Sequence, residues 1–438
     1  MKLRFNNKIR WVAAATLAVM SGVVMAQALP RANPESVGMS SERLKKITAV
    51  MQQEVADKKL PGAVVMVARK GKLVYSEAFG SLNNQAGAAM QTDSIFRLYS
   101  MTKPIVSTAL MMLVEDGKVQ LTDPVSKFLP SFRSPMVSVA THDPVFNGVA
   151  FRLVPANREP TIQDLLRHTS GLAYGELTRN TLVRDAYIKA GVFSTDIDYD
   201  SRDRTGPEMA DALGKAPLAQ HPGTYWEYSL SVDVQGRVVE AVSGKRLNDF
   251  LQERIFRPLK MVDTAFHVPA EKTARLAQSF AKDPATGANN KLIDVSKVPG
   301  NDSGGAGAVG TAGDYLRYCQ AMLNGGALEG ARILSPTTVR LMASDHLANI
   351  STAINPGNLL LGTPGYTFGL GFLVRNADGN AGVHGSAGEF TWAGYAGTYF
   401  WAEPKEQICG VYMTQAPSPL RASYRRLMKG LVAQAITE

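Results

Sequence analysis

Apolar and polar positions follow two periods along this chain, and the change of period divides it. Residues 40 to 57 carry the spacing of an amphipathic helix, with Ser40 or Ser41 as its cap. "PGAVVMVARKGKLVYSEAFG" then predicts two strands around a Lys70-Gly71-Lys72 turn. A second helix starts near Ser100, runs through the apolar stretch Ile105 to Val114 and stops near Gly117. Residues 118 to about 300 mix short helices with long polar loops and contain no clear repeat. "GTAGDYLRYCQAMLNGG" reads as a helix with a glycine stop. Beyond it, "YTFGLGFLV", "AGTYFWAEP" and "QICGVYMTQ" read as three strands, and residues 419 to 436 as a closing helix.

Strands thus sit at both ends and helices dominate the middle. The pattern predicts an α/β fold of the α+β type: an antiparallel sheet built from both chain ends, flanked by helices, with a mainly helical region inserted. No Gly/Ser linker cuts the chain. Residues 27–438 are expected to form a single domain, with a sheet lobe at about 35–98 and 300–438 and a helical lobe at about 99–299.

Composition changes this picture at the start of the chain. The 438 residues, 45% hydrophobic and 19% charged, are ordinary for a globular protein. The first 26 are different. Lys2, Arg4, Lys8 and Arg10 precede a mostly apolar run from Trp11 to Ala26, and small residues at Val24-Met25-Ala26 and Ala26-Gln27-Ala28 suit signal peptidase. Residues 1–26 are therefore expected to be a cleaved signal peptide, since a membrane span needs roughly 20 apolar residues. Localisation is expected to be periplasmic or secreted, with no membrane attachment after removal. The net charge is +9, and the signal's four cations leave +5 for the rest. Arg421, Arg425, Arg426 and Lys429 read as one solvated helix face, and nothing indicates a nucleic-acid partner. Cys319 lies in a helix pattern and Cys409 in a strand pattern. Two separately buried thiols are the expectation, although export would allow a disulfide.

The candidate chemistry begins at "LYSMTKP". Ser100 and Lys103 are three apart, so they share one helix face. Pro104 is tolerated in a first turn, where amide donors lack partners anyway. A lysine amine held there beside the hydroxyl can take its proton and make Ser100 a nucleophile. Ser279 and Lys282 repeat the spacing but run into an Asp-Pro-Gly turn, and read as chance. In "PGTYWEYS", Tyr228 follows a Pro-Gly turn and precedes an amphipathic helix; a tyrosine near a lysine can shuttle a proton to a leaving group. In "HGSAGEFTWAGYAGTYFWAEP", glycines alternate with aromatics on a strand pattern, as where a backbone approaches a ligand closely.

Together with "VEDGKVQLTDPVSKFLP", "TIQDLLRHTSGL", "GAGAVGTAGDYLRYC" and the strands ending "MTQ", these motifs resemble the class C β-lactamase superfamily of Ser-x-x-Lys serine hydrolases, which includes DD-peptidases and the family VIII carboxylesterases. The resemblance spans about residues 35 to 436. It implies a β-lactamase/transpeptidase-like fold, Ser100 as the acylated nucleophile, Lys103 as its activating partner and Tyr228 as the shared acid/base. It also implies an oxyanion hole from the Ser100 amide and, if Trp392-Ala393-Gly394 is the third motif, the Tyr395 amide. His384 in "HGSAG" is an alternative for that strand position.

Two departures from the β-lactamases stand out. Their Tyr-x-Asn reads Tyr228-Ser229-Leu230 here, and "WAG" replaces Lys-Thr-Gly, resembling the Trp-Gly-Gly of the esterase branch. The expectation is a hydrolase of carboxylic esters with short acyl chains. The alternatives are a β-lactamase or DD-peptidase-like hydrolase acting on β-lactams or D-Ala peptides, and a binder or sensor that kept the fold. The implied partner is a small-molecule ester or amide. The six histidines show no metal spacing, and no G-x-S-x-G, phosphate loop or dinucleotide fingerprint is present, so neither metal nor cofactor is implied. Residues 132 to 160 and 174 to 220 are expected to shape the pocket mouth. The oligomeric state is not legible.

Overall fold

The structure, a computed structural model, describes residues 28–83, 86–143, 148–196, 200–352 and 354–438. The expected signal peptide lies outside them. Eight strands form an antiparallel sheet in the spatial order Tyr366–Phe368, Leu373–Arg375, Phe390–Ala393, Tyr399–Glu403, Ile408–Thr414, Gly62–Arg69, Lys72–Asn83 and Ala88–Ala89. The two chain ends meet at its centre, where Gly62–Arg69 pairs with Ile408–Thr414 in a register that sets Val65 opposite Tyr412. Every residue of these two strands is buried. That burial explains their near-continuous apolar sequences, since a strand covered on both faces has no polar side. The helix Ala312–Leu323 covers the face that carries Cys409, and the paired helices Ser41–Ala56 and Arg421–Ala433 cover the other.

The helix Thr102–Glu115 is buried on all sides from Thr102 to Leu113 and packs against Ser231–Ser243. A helix that is apolar all round belongs in a core. Burial of Ile105, Leu110 and Met111 stabilises it by about 1.5–3 kcal/mol per side chain. This fixes the position of Ser100 and Lys103 at its start.

Four expectations need correction. "YTFGLGFLV" is two strands, because Gly369 to Gly371 turns the chain: Gly371 has φ +93° and the Gly369 amide donates to Phe372 O at 2.8 Å. Residues 136 to 155 form a hairpin, Met136–Asp143 with Gly148–Pro155, within a stretch read as helices and loops. Its outer strand is largely exposed, so no apolar alternation marked it. The thiols of Cys319 and Cys409 are free and buried but adjacent, not separate: burial, and then contact with Cys319, push the Cys409 thiol up. Finally, Arg425 and Lys429 do not belong to a solvated face. They lie one helical turn apart on the inner side of their helix, each 3% exposed.

Candidate active site

Three elements from distant parts of the chain converge on Ser100. The serine lies in a short 3-10 turn, Tyr99–Met101, that runs into the buried helix. Tyr99 adopts φ +47°, a left-handed conformation unusual for a bulky residue. It is held there by a bond from the Ile293 amide to its hydroxyl at 3.0 Å, while Tyr315 donates to Met101 O at 2.9 Å. The turn lifts the Ser100 hydroxyl to a partly exposed position while both neighbours stay buried.

Lys103 is 1% exposed, and its Nζ donates to Ser100 Oγ at 3.2 Å, Tyr174 Oη at 2.8 Å and Gly305 O at 2.7 Å. An ammonium uses all three as acceptors. A neutral amine could give two N–H groups to Gly305 and Tyr174 and turn its lone pair to the serine. Gly305 is positioned by Asp233, which accepts from its amide at 3.1 Å; a Cβ at residue 305 would lie 2.3 Å from the Asp233 carboxylate. Tyr228 donates from its hydroxyl to Ser100 Oγ at 2.7 Å.

Tyr174 is a member of this cluster that the sequence did not reveal. Its hydroxyl bonds to Tyr228, and burial, followed by Tyr228, holds its pKa far above the ordinary phenol range, so it stays protonated. Its position two residues after "TSGL" was the available signal. His168 packs its ring 5.0 Å from that of Tyr228, and its Nδ1 lies 3.0 Å from Ser229 Oγ. Burial and then Lys103 hold its imidazole well below the usual value, so it is a neutral support. The ring of Trp392 lies 5.4 Å from that of Tyr228 and is buried. His384 lines a different hollow, with Lys429 and Glu403. The strand that faces the site is therefore Phe390–Ala393, with Ala393 and Gly394 at its end. Tyr395 follows at the rim, half exposed, with its ring 5.4 Å from that of Tyr99. Ser279 and Lys282 lie outside any helix and take no part.

A cleft of about 570 Å³ opens beside Tyr228, lined by Val139, Phe151, Leu177, Tyr225, Trp226 and Leu359 among others. The hairpin and residues 177–180 form much of its wall. Glu227 also faces it, its carboxyl raised by burial. Among the described residues no helix is long and apolar enough to cross a membrane, and no group of acidic, His or Cys side chains could hold a metal ion.

Known proteins resemble this chain in sequence and in fold. Protein Rv1367c of Mycobacterium tuberculosis (strain ATCC 25618 / H37Rv) is 34% identical over 365 residues, which is 81% of this chain and 86% of its own. Esterase EstB of Burkholderia gladioli is 32% identical over 375 residues, 80% of this chain and 85% of its own. The solved structure of EstCE1, described as a hydrolase with promiscuous acyltransferase activity, matches with a TM-score of 0.72 at 26% identity, covering 89% of this chain and 98% of its own. The Beta-lactamase family model matches residues 47–434, so the chain belongs to the beta-lactamase family and is a serine hydrolase of that fold.

Proposed function

We propose that the protein is an exported carboxylesterase that cleaves esters of short acyl chains through an acyl-enzyme on Ser100. The observation that carries this reading is the double contact on one oxygen: Tyr228 at 2.7 Å and Lys103 at 3.2 Å from Ser100 Oγ. Ser100 attacks the ester carbonyl and its proton passes to the Lys103–Tyr228 pair. Tyr228 returns a proton to the departing alkoxide, which leaves as the alcohol. Water then attacks the acyl group, gives a proton to the same pair and restores the serine. The Ser100 and Tyr395 amides serve as the oxyanion hole. The apolar cleft beside Tyr228 receives part of the ester.

The ester preference follows from the two departures. Leu230 supplies no amide where β-lactamases hold a side chain, and Trp392 presents an apolar ring in place of a lysine that would pair with a carboxylate. A side-by-side assay of p-nitrophenyl butyrate and nitrocefin, with Ser100→Ala as control, tests this. Fast ester cleavage with little nitrocefin turnover, both lost in the variant, is expected. The opposite preference would assign the protein to the β-lactam reading. Export is tested by sequencing the N-terminus of protein recovered from the producing cells; a start at or just after Gln27 is expected, and an intact Met1 start would overturn it.

A further inference from the structure

The C-terminal helix Arg421–Ala433 carries a cation into the core behind the third motif. Arg425 donates to two main-chain carbonyls, Leu360 O at 2.9 Å and Gly394 O at 2.8 Å. The charged and titratable groups acting most strongly on it are Arg421 and the hydroxyls of Tyr399, Tyr412 and Tyr228; no carboxylate is among them. Burial and then Arg421 bring the guanidinium down to about 9, which leaves it cationic at neutral pH. A buried arginine whose partners are carbonyls, with no carboxylate paired to it among the described residues, is costly to keep, so its position asks for a reason.

The reason lies in the peptide it grips. The Gly394 carbonyl and the Tyr395 N–H belong to one planar unit, and no peptide in the described chain is cis. In a trans peptide the two groups point in opposite directions. Fixing the oxygen therefore aims the hydrogen. The rest of the turn closes the clamp. Gly394 N donates to Thr398 O at 2.8 Å, Gly397 N to Gly394 O at 3.2 Å, and Thr398 Oγ1 to Leu98 O at 3.1 Å, two residues before Ser100. Only glycine fits at 394, where a Cβ would lie 2.3 Å from Leu98 O. The Tyr395 amide, by contrast, has no protein acceptor among the described residues. A charged donor on the carbonyl also polarises the amide and strengthens its N–H as a donor.

We propose that Arg425 is a positioning residue for hydrolysis: by holding the Gly394 carbonyl from behind, it aims and polarises the Tyr395 amide toward the oxyanion that forms on the substrate. This rests on the reading of Ser100 as nucleophile. It assigns to the C-terminal helix a part in stabilising the transition state without touching the substrate.

The test compares Arg425→Met, Arg425→Gln and Arg425→Lys with wild type. Three quantities are read: kcat and KM on p-nitrophenyl butyrate, the affinity of n-butylboronic acid, which forms a tetrahedral adduct with a nucleophilic serine, and thermal unfolding. For Arg425→Met, kcat should fall about 30- to 100-fold with KM changed less than about threefold, and boronic acid affinity should weaken by a similar factor. Arg425→Gln keeps one donor without the charge and should fall between; it carries the comparison if the Met variant does not fold. Arg425→Lys keeps the charge and should recover part of the loss. A merely structural residue would lower the unfolding temperature and leave kcat and boronic acid affinity within threefold, which would overturn the proposal. A fall in kcat with unchanged boronic acid affinity would overturn it as well. Wild type that binds the boronic acid but cleaves no ester would sink the esterase reading alone, with the Arg425 comparison still read on affinity. Wild type that does neither would remove both.

Discussion

The floor of the site and the wall of its cleft are built in opposite ways. Beneath Ser100 each polar group is tied into the core: Lys103 to Gly305, Gly305 to Asp233, Met101 to Tyr315. The wall is the hairpin Met136–Asp143 with Gly148–Pro155, whose Val149 is 72% and Leu153 47% exposed. Its base is tied at Ser138, which bonds to Asn180 at 2.9 Å and to Leu218 O at 2.8 Å. The difference teaches a division of labour. The groups around Ser100 stand on buried helix and sheet, whereas the wall of the cleft is an inserted surface element.

The largest effect should come from the floor. Ser100→Ala should lower ester turnover about 10⁴-fold or more with unfolding unchanged, since the hydroxyl is partly exposed and leaves no cavity. Retained turnover would move the chemistry elsewhere. Tyr228→Phe should cost about 10²- to 10⁴-fold in kcat. Its ring contacts with His168, Tyr174 and Trp392 remain, so thermal unfolding should stay within a few degrees. A variant that loses activity only by unfolding would show that the tyrosine is packing alone.

Asp314 tests the floor's support. It is buried on the helix whose Tyr315 holds Met101, and burial raises its carboxyl to about 6 from the ordinary 3.8. The folded protein keeps a proton there that the unfolded chain releases. Stability from this group is therefore full below about pH 4, falls as pH rises toward about 6 and is level above it. The difference amounts to about 3 kcal/mol at most. Asp314→Asn should remove this pH dependence, measured by urea unfolding at pH 4.5 and 7.5; the same gap from wild type at both values would contradict it. The smallest effect belongs to the wall. Phe151→Ala should change the ratio of kcat/KM between butyrate and octanoate esters about five- to tenfold, with the rate of Ser100 labelling by a small fluorophosphonate unchanged. Equal loss on every ester would mean that the hairpin supports the floor after all.

Much of the fold was legible because its signals are local. Glycine stops, an all-apolar helix and runs of buried strand can be read within a dozen residues, and they led to the sheet built from both ends. Ser100, Lys103 and Tyr228 were legible through spacing and order. Tyr174 and Arg425 were not, because their meaning is a contact with Lys103 or Gly394, which lie far away in sequence. Arg425 was misleading: four basic residues on one helix suggest solvent, and only the crowding of the helix against the sheet turns two of them inward. The hairpin escaped for the opposite reason, since an exposed strand buries too little to impose an alternation.

The central pairing of Gly62–Arg69 with Ile408–Thr414 also bears on how the molecule is made. Ala68 meets Cys409, so the middle of the sheet closes only when almost the whole chain has been synthesised. Such contacts, distant in sequence, are slow to form. During translation the first hairpin waits with one edge open, a state that chaperones can hold and that ribosome-bound truncations ending before residue 408 should retain.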